Sequence, residues 1–143
     1  MMYVMQILGN RPIWAGIYAW FIAQALKVVL TLISEKRFAI DRMWGSGGMP
    51  SSHSALVCAL TACIGKHFGF DAPIFAVSIV MSFVVMYDAT GVRRQAGNQA
   101  KAINMLFSLS DLKLDMPLKE LLGHTPLQVF AGAVLGIVVG LFC

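Results

Sequence analysis

Residues 13–33 form one apolar run whose strongly polar side chains are Gln24 and Lys27 alone. As a helix rising 1.5 Å per residue it reaches ~30 Å, the thickness of bilayer hydrocarbon. Backbone in hydrocarbon must satisfy its own hydrogen bonds, and a helix does so. Three further apolar runs follow: Ser54–Gly69, Ile74–Val85 and Pro126–Phe142. The 143 residues are 58% hydrophobic and 13% charged, against about 25% charged in a soluble domain. The sequence therefore predicts an all-α, polytopic membrane helical bundle. It has about four transmembrane helices plus a short interfacial or re-entrant helix, in a single integral-membrane domain over residues 1–143.

Met1–Leu8 is apolar but too short to span, so it lies in the interface or leads into the first helix. Asn10-Arg11-Pro12 then interrupts the apolar run, and no small-residue cleavage site marks a removable signal peptide. Cys58, Cys63 and Cys143 have neither disulfide nor metal spacing and read as packing residues. Lys27 is costly in lipid unless it snorkels or faces the protein interior; of the two, snorkelling toward the Ser34 end of its span is the expectation. Gly132, Gly136 and Gly140 lie four apart, a small-residue stripe that lets another helix approach closely. That helix belongs to this chain or to a second copy, which makes the stripe a homo-oligomer face to test.

Alternating spans put the loops 34–53, 88–101 and 110–124 on one side. There they collect Lys36, Arg37, Arg42, Arg93, Arg94, Lys101, Lys113 and Lys119; the other side has Arg11 and Lys66. The positive-inside rule makes the rich side cytoplasmic, in a cell inner membrane. The net charge of +4 is then accounted for by loops and anionic lipid contacts, with no nucleic acid partner. From Asp88 onward the chain is expected to continue as a helix. Arg94, Asn98 and Lys101 fall on one face, and Ala96, Ala100, Ile103 and Phe107 on another. Whether residues 95–112 lie within or upon the membrane stays open. Ser108–Gly123 reads as a mixed loop or a short amphipathic helix, and Asp111 and Asp115 as a solvated face.

Within this apolar chain the stretch Gly47-Gly48-Met49-Pro50-Ser51-Ser52-His53-Ser54 is polar and turn-forming. Its glycines allow a turn and close approach, its serines cap a helix, and His53 falls in the first helical turn. Such a start suits an anion such as phosphate. His124 opens the last span on the same side. Gln128, four residues on, shares its helical face. The Gln128 amide oxygen is placed to accept a proton from one ring nitrogen and aim the other at substrate. Asp88 most simply pairs with Arg93, Arg94 or Lys36; holding Mg²⁺ beside a phosphate is the other use for it.

Pro50-Ser51-Ser52-His53 resembles the P-S-G-H motif of the type 2 phosphatidic acid phosphatase superfamily. Together with the stretches Tyr87–Gly97 and Leu121-Leu122-Gly123-His124-Thr125-Pro126, it makes roughly residues 12–142 similar to the divergent branch of that superfamily. The resemblance casts His124 as the nucleophile that forms a phosphohistidine and His53 as the general acid for the leaving group. The family's acidic partner of the nucleophile falls on Gln128, which orients imidazole but cannot stabilise imidazolium as a carboxylate does. The family's first basic motif has a loose counterpart in Lys36 and Arg42. The serine-arginine pair before the nucleophile is replaced by Pro117-Leu118, so Arg93 and Arg94, with Lys119 behind them, are the guanidinium and ammonium candidates. Ser51 and Ser52 complete the expected phosphate-binding set.

The implied activity is hydrolysis of a lipid phosphate monoester or pyrophosphate in phospholipid metabolism, a phosphatidylglycerophosphate-like lipid being favoured. The scheme requires no cofactor; Mg²⁺ enters only if Asp88 holds it. Two other readings use the same residues: a non-catalytic protein binding anionic lipid headgroups, and a metal-dependent lipid-phosphate enzyme.

Overall fold

The computed structural model describes residues 1–35, 48–109, 116–120 and 123–143. The described residues form six helices: α1 (Met2–Leu8), α2 (Arg11–Glu35), α3 (Ser52–Phe68), α4 (Pro73–Thr90), α5 (Val92–Leu109) and α6 (Pro126–Phe142). All four apolar runs are helical. The third gains most: it continues past Val85 to Thr90, and after a break at Gly91 the chain resumes as α5. α2 and the stretch Pro73–Leu109 are long and apolar enough to cross a membrane; α6 is apolar and shorter.

The helix ends follow from local chemistry. Ser51 caps α3, its hydroxyl accepting from the Ser54 N–H. Gly69, at φ 97°, ends α3 in a conformation that favours glycine. Pro73 opens α4 and Pro126 opens α6, each in the first turn, where a missing N–H costs nothing. Thr125 and Gln128 form a reciprocal capping box at the start of α6.

α3 is the centre of the bundle. Ala15, Ala19 and Ala23 of α2 lie four apart and meet Ala55, Ala59 and Cys63 of α3, all fully buried. On its other flank α3 meets the glycines of α6. A Cβ on Gly132, Gly136 or Gly140 would collide with the carbonyl of Ser51, Ala55 or Ala59 respectively. The glycine stripe thus seats α3 of the same chain, and that face is not free for a second copy. Between α3 and α4 the glue is polar. The Thr61 and Ser82 hydroxyls are 2.8 Å apart, and Ser82 also donates to the Val57 carbonyl. In hydrocarbon, close backbone approach and such hydrogen bonds hold helices together, because the surrounding lipid is as apolar as leucine. Large side chains such as Phe21, Val80, Phe83 and Phe130 accordingly point outward.

Lys27 departs from expectation. It does not snorkel toward Ser34. Its side chain turns into the bundle, 2% exposed, and its Nζ donates to Ser52 Oγ at 3.1 Å. Gln24, one turn earlier, is also buried. The α2 face that carries these two residues therefore faces protein.

Candidate functional site

The site is assembled where three helices begin and one ends. The His124 N–H donates to the Ala89 carbonyl at 2.9 Å, fastening the start of α6 to the end of α4. Gly123 sits at φ 82° against the Arg93–Arg94 backbone, and a Cβ there would collide with the Arg94 nitrogen. The Ser51 N–H donates to the Gln128 carbonyl at 2.9 Å and so fastens the start of α3 to α6. These three contacts bring His53, Arg93 and His124 into one small cleft, lined also by Val85 and Ala89. A larger cleft at the opposite end of the bundle has Gln6, Asn10, Arg11 and His67 on its walls. It brings no second imidazole to His67.

His124 is 3% exposed. Its Nδ1 lies 3.3 Å from Gln128 Oε1, and that oxygen also accepts the Thr125 N–H at 3.0 Å. A backbone N–H can only donate, so the amide atom at this corner is the oxygen. Nδ1 therefore carries a proton, and Nε2 presents its lone pair. Nε2 is buried and has no hydrogen-bond partner among the described residues. Burial is the chief cause holding the His124 pKa below the ordinary histidine value. The positive charges of Lys27 and His53 push the same way, while the Gln128 hydrogen bond and the Gly48 carbonyl near the ring oppose them. The imidazole is thus neutral near pH 7.

Arg93 Nε donates to Asp88 Oδ2 at 2.6 Å, with both side chains about half exposed. This ion pair fixes the guanidinium at the cleft mouth. Its own stabilising effect is small at such exposure. Asp88 is engaged as a partner of Arg93. Among the described residues no group of three or more His, Cys, Asp or Glu side chains gathers as a metal site would need.

Other expected site residues fall elsewhere. Arg94 is exposed and outside the cleft, its backbone serving as the surface for Gly123. Ser51 is fully buried, with its hydroxyl capping α3 and its N–H given to Gln128, so it is occupied in holding the fold and not open to a phosphate. Ser52 is buried as well and accepts from Lys27. Lys119 is in the stretch strapped to α5 by Asn104, which bonds both Leu118 and Glu120. That anchor is ~16 Å along α5 from Arg93. Lys36 and Arg42 lie outside the described residues. Sequence reasoning missed Lys27 as a member of this neighbourhood. The available signal was an ammonium inside an apolar span, with Gln24 three residues before it on the same helical face.

A family model described as the Divergent PAP2 family matches residues 8–139. The chain belongs to that family. It is also 38% identical over 151 residues, covering 96% of each chain, to a relative from Bacillus subtilis (strain 168) named "Uncharacterized membrane protein YuiD". No solved structure matches. With α2 and the stretch Pro73–Leu109 long and apolar enough to span, the chain is a helical membrane protein.

Proposed function

We propose that this family member is a multi-pass membrane phosphatase. Its substrate is a lipid phosphate monoester or pyrophosphate, a phosphatidylglycerophosphate-like lipid being the favoured candidate. The observation that carries the reading is the buried, unpartnered Nε2 of His124 in a cleft shared with His53 and Arg93. An imidazole whose other nitrogen is tied to Gln128 has its lone pair set for attack.

In the proposed reaction His124 Nε2 attacks phosphorus, and the bond from phosphorus to the ester oxygen breaks. His53 gives a proton to the leaving alkoxide from its protonated form; burial, then the Arg93 and Lys27 charges, lower its pKa, while Asp88 raises it. Water then cleaves the P–N bond, releasing inorganic phosphate and regenerating the imidazole. Arg93 supplies a planar fork for the equatorial oxygens, where charge neutralisation matters most. The residues sit at one end of the bundle, so the acyl chains can stay in the bilayer while the headgroup enters. We place that end on the cytoplasmic side of a cell inner membrane.

Phosphate release by the purified chain from a panel of lipid phosphates tests this. His124→Ala is expected to abolish turnover, and His53→Ala to lower it by about 10²–10⁴-fold. Wild-type rates in both variants would sink the histidine mechanism. The competing reading is a headgroup-binding protein without turnover. It is favoured by Gln128 standing where a carboxylate would balance the imidazolium, and it gains if no lipid is hydrolysed while lipid phosphates still bind. A metal-dependent enzyme using Asp88 would instead lose its activity on adding chelator.

A further inference from the structure

Lys27 poses a problem in energetics. Its ammonium is buried in mid-span and, among the described residues, its one hydrogen-bond partner is the Ser52 hydroxyl. Burying an ammonium is costly even after relaxation. One hydrogen bond to a neutral hydroxyl offsets only part of that cost. No carboxylate among the described residues forms an ion pair with it. The charge is nonetheless beside the cleft: it acts electrostatically on His124, and the stem of Lys27 passes 3.9 Å from where a side chain on Gly48 would begin. Ser52, which holds Nζ, immediately precedes His53 at the start of α3. A buried group in the same neighbourhood has no hydrogen-bond partner among the described residues, the Nε2 of His124.

An unpartnered lone pair in the cleft and a buried ammonium beside it, without a counter-ion among the described residues, are complementary to a single kind of ligand. The ligand must be electron-poor at its centre, to meet the lone pair, and anionic at its rim, to meet the ammonium. A tetrahedral phosphate has both properties. We infer that Lys27 is a phosphate ligand of this site. Its ammonium, aimed by Ser52, neutralises the phosphate oxygens from the α2 side while Arg93 reaches them from α5. The substrate's phosphate is then the counter-ion that the buried charge lacks. The inference rests on the phosphatase reading only in placing this ligand on the same phosphate that His124 would attack. Lipid headgroup and free phosphate offer the same oxyanion.

The test uses the full chain purified in detergent, with thermal melting and phosphate release read on the same preparations. The probes are inorganic phosphate and dioctanoyl phosphatidic acid. Without either probe, Lys27→Met is expected to melt at or above the wild-type temperature, because it removes an uncompensated buried charge. Both probes should raise the wild-type melting temperature, and Lys27→Met should bind them about 10- to 100-fold more weakly. Lys27→Arg, which keeps the charge, should retain part of the affinity. A shift from the lipid probe alone would assign the site to headgroups, and an equal shift from inorganic phosphate would show that the free ion suffices. Either supports the inference if Lys27→Met loses it.

A Lys27→Met protein that fails to fold or melts well below wild type overturns the inference, since the lysine is then structural. Undiminished phosphate binding in that variant overturns it too. Turnover that is lost in His124→Ala but intact in Lys27→Met removes Lys27 and leaves the phosphatase. Phosphate binding through Lys27 with no turnover in any preparation removes the phosphatase and leaves Lys27.

Discussion

At the scale of single residues, the consequential position is 128, where glutamine stands in the place that the resemblance to the type 2 phosphatidic acid phosphatase superfamily gives to a carboxylate. Gln128 Oε1 satisfies both the Thr125 N–H and His124 Nδ1, so it sets the tautomer without adding charge. With no carboxylate at that nitrogen, burial dominates and the His124 pKa lies below the ordinary value; the Gln128 hydrogen bond and the Gly48 carbonyl oppose it, and Lys27 and His53 add to it. The sign for activity follows. A nucleophilic imidazole must be neutral, and a depressed pKa keeps it neutral at lower pH. The acid limb of kcat/KM is therefore expected below the ordinary histidine range near 6.5. In Gln128→Glu the carboxylate still accepts both hydrogen bonds, as capping boxes with Glu do. Its charge favours imidazolium, so the acid limb should move to higher pH, and kcat should rise because the phosphoimidazolium is better balanced. A pH–rate profile of the two proteins checks this. Superimposable acid limbs would mean that His124 is not the titrating nucleophile.

At the scale of elements, the bundle depends on residues too small to register in a hydropathy trace. The spans were legible because apolar length alone decides them. The helix pairings were not. Ala15, Ala19 and Ala23 do not stand out in an apolar run, and only the fold shows that they let α2 press against Ala55, Ala59 and Cys63. The Gly132, Gly136 and Gly140 spacing was visible, but spacing cannot say whether the opposing helix belongs to the same chain. Lys27 escaped for a related reason: depth in a span predicts cost, not the direction in which a side chain turns. The cleft was half legible, because His53 and His124 announce themselves by motif. Arg93 and Arg94 are consecutive on α5, so their side chains leave the helix about 100° apart, one lining the cleft and the other exposed outside it. Gly136→Ala is the informative test of the pairing. In a free helix alanine is favoured over glycine by about 1 kcal/mol. Here its Cβ would strike the Ala55 carbonyl and lie 2.9 Å from Cys58 Cβ, and overpacking of this kind costs about 1–3 kcal/mol. The clash should win, giving a lower melting temperature in detergent together with reduced turnover, since α6 also carries Gln128. A stabilised Gly136→Ala would mean that α3 and α6 have room between them.

At the scale of the whole molecule, the question is which way the bundle faces. His53, Arg93 and His124 share one end, and the Phe68–Pro73 turn between α3 and α4 lies at the other. The charge distribution differs just as sharply. Arg93 and Arg94 accompany the cleft end, whereas Arg11 and Lys66 accompany the turn. Each basic residue close to a span end biases that end toward the cytoplasm. Lys66 is partly withdrawn from that count, its ammonium donating to the Leu141 carbonyl at 2.8 Å. If α4 crosses the bilayer and α5 lies upon it, Asp71 and Gln99 are on opposite sides, and both are exposed in this fold. The measurement starts from a chain whose three cysteines, Cys58, Cys63 and Cys143, are replaced by alanine. One cysteine is then introduced, as Asp71→Cys or Gln99→Cys. In intact spheroplasts a membrane-impermeant maleimide is expected to label Asp71→Cys, and to reach Gln99→Cys only after the membrane is opened. Labelling of both without opening would mean that α4 does not cross. The reverse pattern would put the cleft outside the cell, and a lipid phosphate made on the cytoplasmic leaflet could then reach it only after crossing the bilayer.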